Sequence, residues 1–249
     1  MMLHKTAANV ARSDEERQAI EQYHREMIRA GVMRAREGLQ PSSTAVRVTF
    51  SGRNPTVANG SAAAADIDGF IVIDVKSKDE AIEWAKRWPV TDVRGDIEIE
   101  IREGGCPGGV PTVSRSRSTG SSPSKPTRYI VLLKADTHSE AGILPDERRL
   151  AAMTKRNEES VAAGVMIAGE GLQPSVRGAR VKFSGGKPAV IDGPFAEAKE
   201  LVAGYWMLEV NSKEEALEWV RTYPFPFDDA EIEVREALDF EPVDPPSLV

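Results

Sequence analysis

Six residues, Glu37-Gly38-Leu39-Gln40-Pro41-Ser42, return unchanged as Glu170-Gly171-Leu172-Gln173-Pro174-Ser175, an offset of 133 residues. At the same offset Ala30-Gly31-Val32-Met33 matches Ala163-Gly164-Val165-Met166, and Arg47, Val48, Phe50, Ser51 and Gly52 match Arg180, Val181, Phe183, Ser184 and Gly185. Further along the offset becomes 135, and Ser77-Lys78, Glu80-Ala81, Glu83-Trp84 and Pro89 match Ser212-Lys213, Glu215-Ala216, Glu218-Trp219 and Pro224. A period this long means two copies of one domain rather than a stack of short repeats. The 249 residues suffice for two modest domains. The expected division is a first copy over 1–103, a linker over 104–127 and a second copy over 128–249. Gly, Ser and Pro dominate 104–127, which offers nothing to bury and reads as a flexible linker.

The second copy spells out the unit most fully. Tyr129 to Lys134 is a short apolar run and reads as a buried strand. Pro145-Asp146-Glu147 opens a helix that Ala163-Gly164 ends, and Val165 to Ala168 is the next strand. Arg180 to Phe183 and Pro188 to Ile191 form a hairpin about Ser184-Gly185-Gly186-Lys187. Ala196 to Val202 reads as a short helix and Gly204 to Val210 as a strand. Ser212 and Glu215 make a capping box for a helix that stops before Pro224. Glu231 to Arg235 alternates polar and apolar residues, as a strand with one face in water does. The order β-α-β-β-β-α-β is that of a ferredoxin-like sandwich with an added hairpin, an α+β fold. Helices cover one face of its sheet, and the other face needs a partner sheet. In the first copy Ser13 and Glu16 make a capping box, Ile20, Tyr23, Met27 and Ile28 form a helix stripe, and Ile97, Ile99 and Ile101 alternate.

Charge narrows the partners. The chain carries −7 overall with a pI near 5.2, so nucleic acid and anionic membranes are not expected partners. The acidity is uneven: −2 in the first copy, +3 in the linker and −8 in the second copy. No apolar run approaches the ~20 residues that span a bilayer, and Met1-Met2-Leu3-His4-Lys5 does not open a secretory signal. The expected compartment is the cytoplasm. Cys106 is the single cysteine, and His4, His24 and His138 lack metal-ligand spacing, so no metal or other cofactor is expected.

The second copy holds Asp192-Gly193-Pro194-Phe195 at the hairpin exit, where the first has Asn59-Gly60-Ser61-Ala62. Asp-Gly favours a turn, since Asp bonds nearby backbone and Gly accepts positive φ. Together with Tyr129 to Lys134, Glu170 to Pro174, Phe183 to Lys187, Glu197, Lys199, Glu200 and Gly204-Tyr205-Trp206, this motif resembles the YCII-related family, in the subgroup named for its DGPF motif. The resemblance implies a dimeric α+β barrel in which two ferredoxin-like units face their sheets together. A tandem chain would then form an intrachain pseudo-dimer and be monomeric as a chain. It also implies a His–Asp pair in the barrel cleft of some relatives, and a link to extracytoplasmic-function sigma factors. This sequence departs from the first of these: His138 falls in the loop after the first strand, and His24 stands where the second copy has Asn157.

Asp192 is the leading candidate, either as a turn residue, as Asn59 in the first copy would allow, or as a cleft carboxylate acting as general base. Glu170, shared with Glu37, either caps the Gly171-Leu172-Gln173 turn or lines the cleft. Gly193, Pro194, Phe195, Tyr205 and Trp206 are candidate walls of a small-molecule pocket, or core. Lys187, Lys199 and Arg180 are candidate anion contacts, or surface charges and an ion pair across the sheet. No Ser-His-Asp set, phosphate loop or dinucleotide fingerprint is present. Two functions follow: a small-molecule-binding or regulatory module, or an acid–base lyase or hydrolase with Asp192 as base and Glu170 or Lys199 assisting.

Overall fold

A computed structural model describes residues 1–6, 13–52, 54–60, 66–89, 97–105, 126–197 and 200–238. The first half contributes β1 (Met2–Thr6), α1 (Asp14–Arg29), β2 (Met33–Gly38), β3 (Val46–Ser51), β4 (Asn54–Asn59), β5 (Asp66–Ile73), α2 (Lys78–Lys86) and β6 (Ile97–Ile101). The second contributes β7 (Thr127–Lys134), α3 (Thr137–Glu140), α4 (Glu147–Ala162), β8 (Met166–Gly171), β9 (Ala179–Ser184), β10 (Lys187–Asp192), β11 (Val202–Val210), α5 (Lys213–Thr222) and β12 (Ala230–Glu236).

Local chemistry sets the helix ends. Ser13 and Glu16 cap α1 reciprocally, and the Asp146 carboxylate accepts from Arg149 N–H at 2.7 Å to start α4. At α5 the expected reciprocal box is only half made. Ser212 Oγ accepts from Glu215 N–H, but the Glu215 carboxylate accepts from Asn211 N–H at 2.9 Å, one residue before the cap. The helix expected over 196–202 is corrected at its end: Val202 already belongs to β11, while Ala198 and Lys199 lie outside the described residues. The loop expected around His138 contains the one-turn α3, capped by Asp136.

Two six-stranded antiparallel sheets result, in the orders β10-β9-β6-β1-β5-β2 and β4-β3-β12-β7-β11-β8. Each half therefore lends its hairpin to the other half's sheet. Glu100 of β6 pairs with Arg180 of β9, and Glu233 of β12 pairs with Arg47 of β3. The added hairpin of the sequence reading is thus not appended to its own sheet. β6 and β12 would otherwise be open edges, and the exchanged hairpins satisfy their backbone groups.

The sheets face one another as an intrachain pseudo-dimer, the α+β architecture that the duplication implies. Leu3, Phe70, Ile130, Leu132, Tyr205 and Met207 form the core between them, with the Phe70 and Tyr205 rings 5.1 Å apart. Ile20, Tyr23 and Met27 of α1 pack on the outer face of the first sheet, and Leu217 and Val220 of α5 on that of the second. The face of β12 expected in water is buried too, because β12 lies between β7 and β3 and under the opposing sheet: Glu233 and Arg235 are 3% and 2% exposed. Such charges survive burial only when paired. Glu233 takes Lys134 at 3.2 Å and Arg235 at 2.9 Å. Its twin Glu100 takes Lys5 at 2.6 Å, Arg180 at 3.0 Å and Arg102 at 3.1 Å. Burial pushes the Glu100 carboxyl up, and the three cations outweigh it, leaving the group below the usual carboxylate range.

Of the expected linker, Gly104 bridges to Leu172, Gly105 N–H donates to Glu170 Oε1 at 3.0 Å, and Thr127 already opens β7. The rest, 106–125, lies outside the described residues.

Candidate functional site

The second half contains a cavity of about 880 Å³, within the range of small-molecule sites. Its floor is the open end of the second sheet, at Leu133 and Lys134 of β7, Gly169 to Gly171 of β8, and Ala203, Gly204 and Trp206 of β11. Leu150, Met153, Thr154 and Asn157 of α4 form one wall, and Thr49 and Phe50 of the exchanged β3 form another. The β7–α4 connection roofs it with Thr137, Ser139 and Gly142 to Pro145. Ile143 and Leu144, 52% and 55% exposed, place apolar side chains at the mouth.

Gly169 lies in the cavity floor, closely covered by Met166 and Trp206. A Cβ there would lie 2.5 Å from Met166 Cε and 3.0 Å from Trp206 Cδ1. The first half has Arg36 at the matching place in β2. Its guanidinium donates to Glu21 Oε1 at 2.8 Å and meets His24 Nδ1 at 2.5 Å, so the matching gap between β2 and α1 is filled. Deeper in the second-half cavity, Trp206 Nε1 donates to the Tyr223 hydroxyl at 3.2 Å, and that hydroxyl donates to Asn157 Oδ1 at 2.9 Å. Burial pushes the Tyr223 hydroxyl far above its ordinary value, so it is a fixed donor and not a proton shuttle.

Carboxylates gather round the opening. Asp136 accepts from Ser139 N–H at 2.7 Å, and its Oδ2 lies 3.4 Å from His138 Nδ1. Burial raises the Asp136 carboxyl, but Ser139 and His138 more than offset that and hold it below the usual range. The His138 ring stacks on Phe227, centroids 4.7 Å apart. Glu170, Glu197, Glu200, Asp229 and Glu231 also line the cavity.

The expected site residues divide. Glu170 and Trp206 line the cavity. Tyr205, next in β11, points to the opposite face against Phe70, and burial pushes its hydroxyl up. Lys187 is exposed at the hairpin turn, and Lys199 lies outside the described residues. Asp192, Gly193, Pro194, Phe195 and Arg180 do not line the cavity. The Asp192 side chain is 70% exposed and pairs with Lys78 Nζ of α2 at 2.8 Å. Gly193 is not in the positive-φ region expected of it. It is required because its backbone presses on Ser175, whose carbonyl oxygen would stand 1.9 Å from a Cβ. Phe195 N–H donates to Ser175 Oγ at 3.1 Å, and the Phe195 ring lies 4.0 Å from Arg180 Cζ. Ser175 in turn donates to Glu140 of α3 from its N–H, at 3.0 Å to Oε2, and from its hydroxyl. Arg102 Nη2 reaches the same carboxylate at 3.2 Å. The motif thus braces the cavity roof from behind, through Ser175 and Glu140.

Sequence reasoning missed Gly169, Asp136, Glu231 and the inner face of α4, and set His138 aside as a loop residue. The repeat carried a usable signal: one β-strand position holds arginine in the first copy and glycine in the second, at a segment that otherwise agrees closely. Among the described residues no group of His, Cys, Asp and Glu could hold a metal ion, and no helix is long and apolar enough to cross a membrane.

Two helix-backed antiparallel sheets that face each other and exchange hairpins define a duplicated α+β sandwich with its cavity in one half. The model of the YCII-related domain matches residues 1–102 and again 127–241, and the chain belongs to that family. A protein of Rhizobium meliloti (strain 1021), itself uncharacterised, is 34% identical over 76 residues. That match takes in 30% of this chain and 61% of the relative's length.

Proposed function

We propose that the chain is a small-molecule-binding module of the DGPF subgroup, with one working site in the second-half cavity and the first half as its structural counterpart. One observation carries this: the cavity runs between β8 and α4 past Gly169, whereas the matching position of the first half holds Arg36, which bridges to Glu21 of α1. The regulatory role that the subgroup implies, in sigma-factor pathways, fits a site that binds and releases without chemistry. The test is to purify the full chain natively and look for a retained small molecule by mass spectrometry, beside the variant Gly169→Arg. A molecule present in the wild type and lost from a folded Gly169→Arg protein supports the reading. A molecule that Gly169→Arg retains at full occupancy sinks it.

A second reading, acid–base catalysis, is favoured by the cavity-lining Asp136, whose carboxylate lies 3.4 Å from the ring of its neighbour His138. In that case the base is His138 oriented by Asp136, while Asp192 is exposed and paired with Lys78. Replacing His138 by Gln would then abolish turnover of a bound compound while leaving its affinity within about twofold.

A further inference from the structure

We propose that the cavity takes a cationic amphiphile: a molecule with an apolar alkyl or aryl body and a protonated amine at one end. This rests on the cavity being the binding site, and adds the chemical class. The body follows from the walls, where Phe50, Leu133, Leu150, Met153 and Trp206 offer apolar surface. The head group follows from the rim. Asp136, Glu170, Glu197, Glu200, Asp229 and Glu231 line the cavity, and Lys134 is the one lysine or arginine among the described lining residues. Its ammonium is already 3.2 Å from Glu233 Oε2.

Duplication supplies an internal control for one of these acids. Glu98 of β6 is held by Lys182 at 3.0 Å, Arg180 at 3.2 Å and Lys5 at 3.6 Å. Glu231, its twin in β12, has no ion pair among the described residues. Thr49 faces Glu231 where Lys182 faces Glu98, and Thr49 is itself part of the cavity wall. The lysine that neutralises the acid in one half is therefore missing in the half that has the cavity. An ammonium entering there would occupy that vacated role. An anion would meet the carboxylates unscreened at the partly buried rim, where charges count more than in bulk water.

Three probes with one alkyl chain separate the possibilities: n-octylammonium, 1-octanol and octanoate, titrated calorimetrically into the full chain at neutral pH. Octylammonium should bind about tenfold or more tighter than octanoate, with octanol between them. Glu231→Gln should narrow that gap severalfold, as should high salt. Glu200→Gln serves as the second variant should the first fold poorly. Gly169→Arg should remove binding of all three. Octanoate binding as well as octylammonium, or a gap unchanged in both glutamine variants, overturns the charge assignment alone. Binding of all three that Gly169→Arg leaves intact overturns the cavity reading with it, as does no binding of any probe.

Discussion

In β2 the first half sets Arg36 against Glu21 and His24; in β8 the second half sets Gly169 against Met166 and Trp206. The strands are otherwise close twins, Met33-Arg34-Ala35-Arg36-Glu37-Gly38 against Met166-Ile167-Ala168-Gly169-Glu170-Gly171. One half fills the space between strand and helix with an ion-paired guanidinium; in the other Met166 and Trp206 close over the glycine and the cavity opens beside them. The edge of the sheet differs in step. Arg180 lies under the Phe195 ring and engages Glu98 and Glu100, whereas its twin Arg47 makes no ion pair among the described residues. An aromatic ring at the hairpin exit is what holds the arginine down. Asymmetry at one end of the molecule thus comes with a motif that only one copy has kept.

Breaking the buried ion cluster should have the largest effect. Glu100→Gln leaves Lys5, Arg102 and Arg180 without their shared carboxylate, at a cost of about 3–5 kcal/mol by urea unfolding. Glu233→Gln breaks the twin cluster, where Lys134 and Arg235 hold the carboxylate, and should likewise destabilise the chain in urea. No loss from Glu100→Gln would refute the view that the buried carboxylate neutralises Lys5, Arg102 and Arg180. The pH dependence has a definite sign. Glu100 is held below its ordinary value of 4.5 in the fold, so its contribution is complete above that pH and is lost as pH falls through the depressed folded value. Glu100→Gln should flatten that acid limb.

Phe195→Ala gives the second half a small residue at the hairpin exit, as the first half has there. It should cost about 3 kcal/mol, from the lost ring and the unclamped Arg180. A loss under half of that would show that Arg180 needs no clamp. Ser175→Ala should cost about 1–2 kcal/mol and speed amide exchange in α3, because Glu140 loses a donor while the exchanged hairpin keeps its pairing. The smallest effect should come from Lys78→Ala. It removes an exposed pair to Asp192, worth at most about 0.5 kcal/mol, and a larger loss would restore Asp192 to importance.

Much of the architecture was legible in the residues. The duplication, the helix caps at Ser13 and Asp146, the hairpins and the face-to-face sheets all leave local or periodic marks. The exchange of hairpins left none, because β9 could pair through its backbone with the outer strand of either sheet equally well. The burial of Glu233 and Arg235 was hidden for a related reason. Alternating charge along a strand signals water only when no second sheet covers that face. The cavity was harder still. A motif marks where the chain must follow one course, and Asp192 to Phe195 mark such a place. An empty volume is marked by what is absent, and a lone glycine in a strand announces it only when set beside its arginine twin.

The crossing of the hairpins ties the fates of the two copies together. Thr49 and Phe50 are encoded in the first copy, yet they wall the second copy's cavity. Drift in β3 is therefore felt in a site more than a hundred codons downstream, and the first copy cannot decay freely as spare duplicates do. Splitting the gene between the copies would give each fragment a sheet short of its outer hairpin, and the fragments would have to find each other again before either could work.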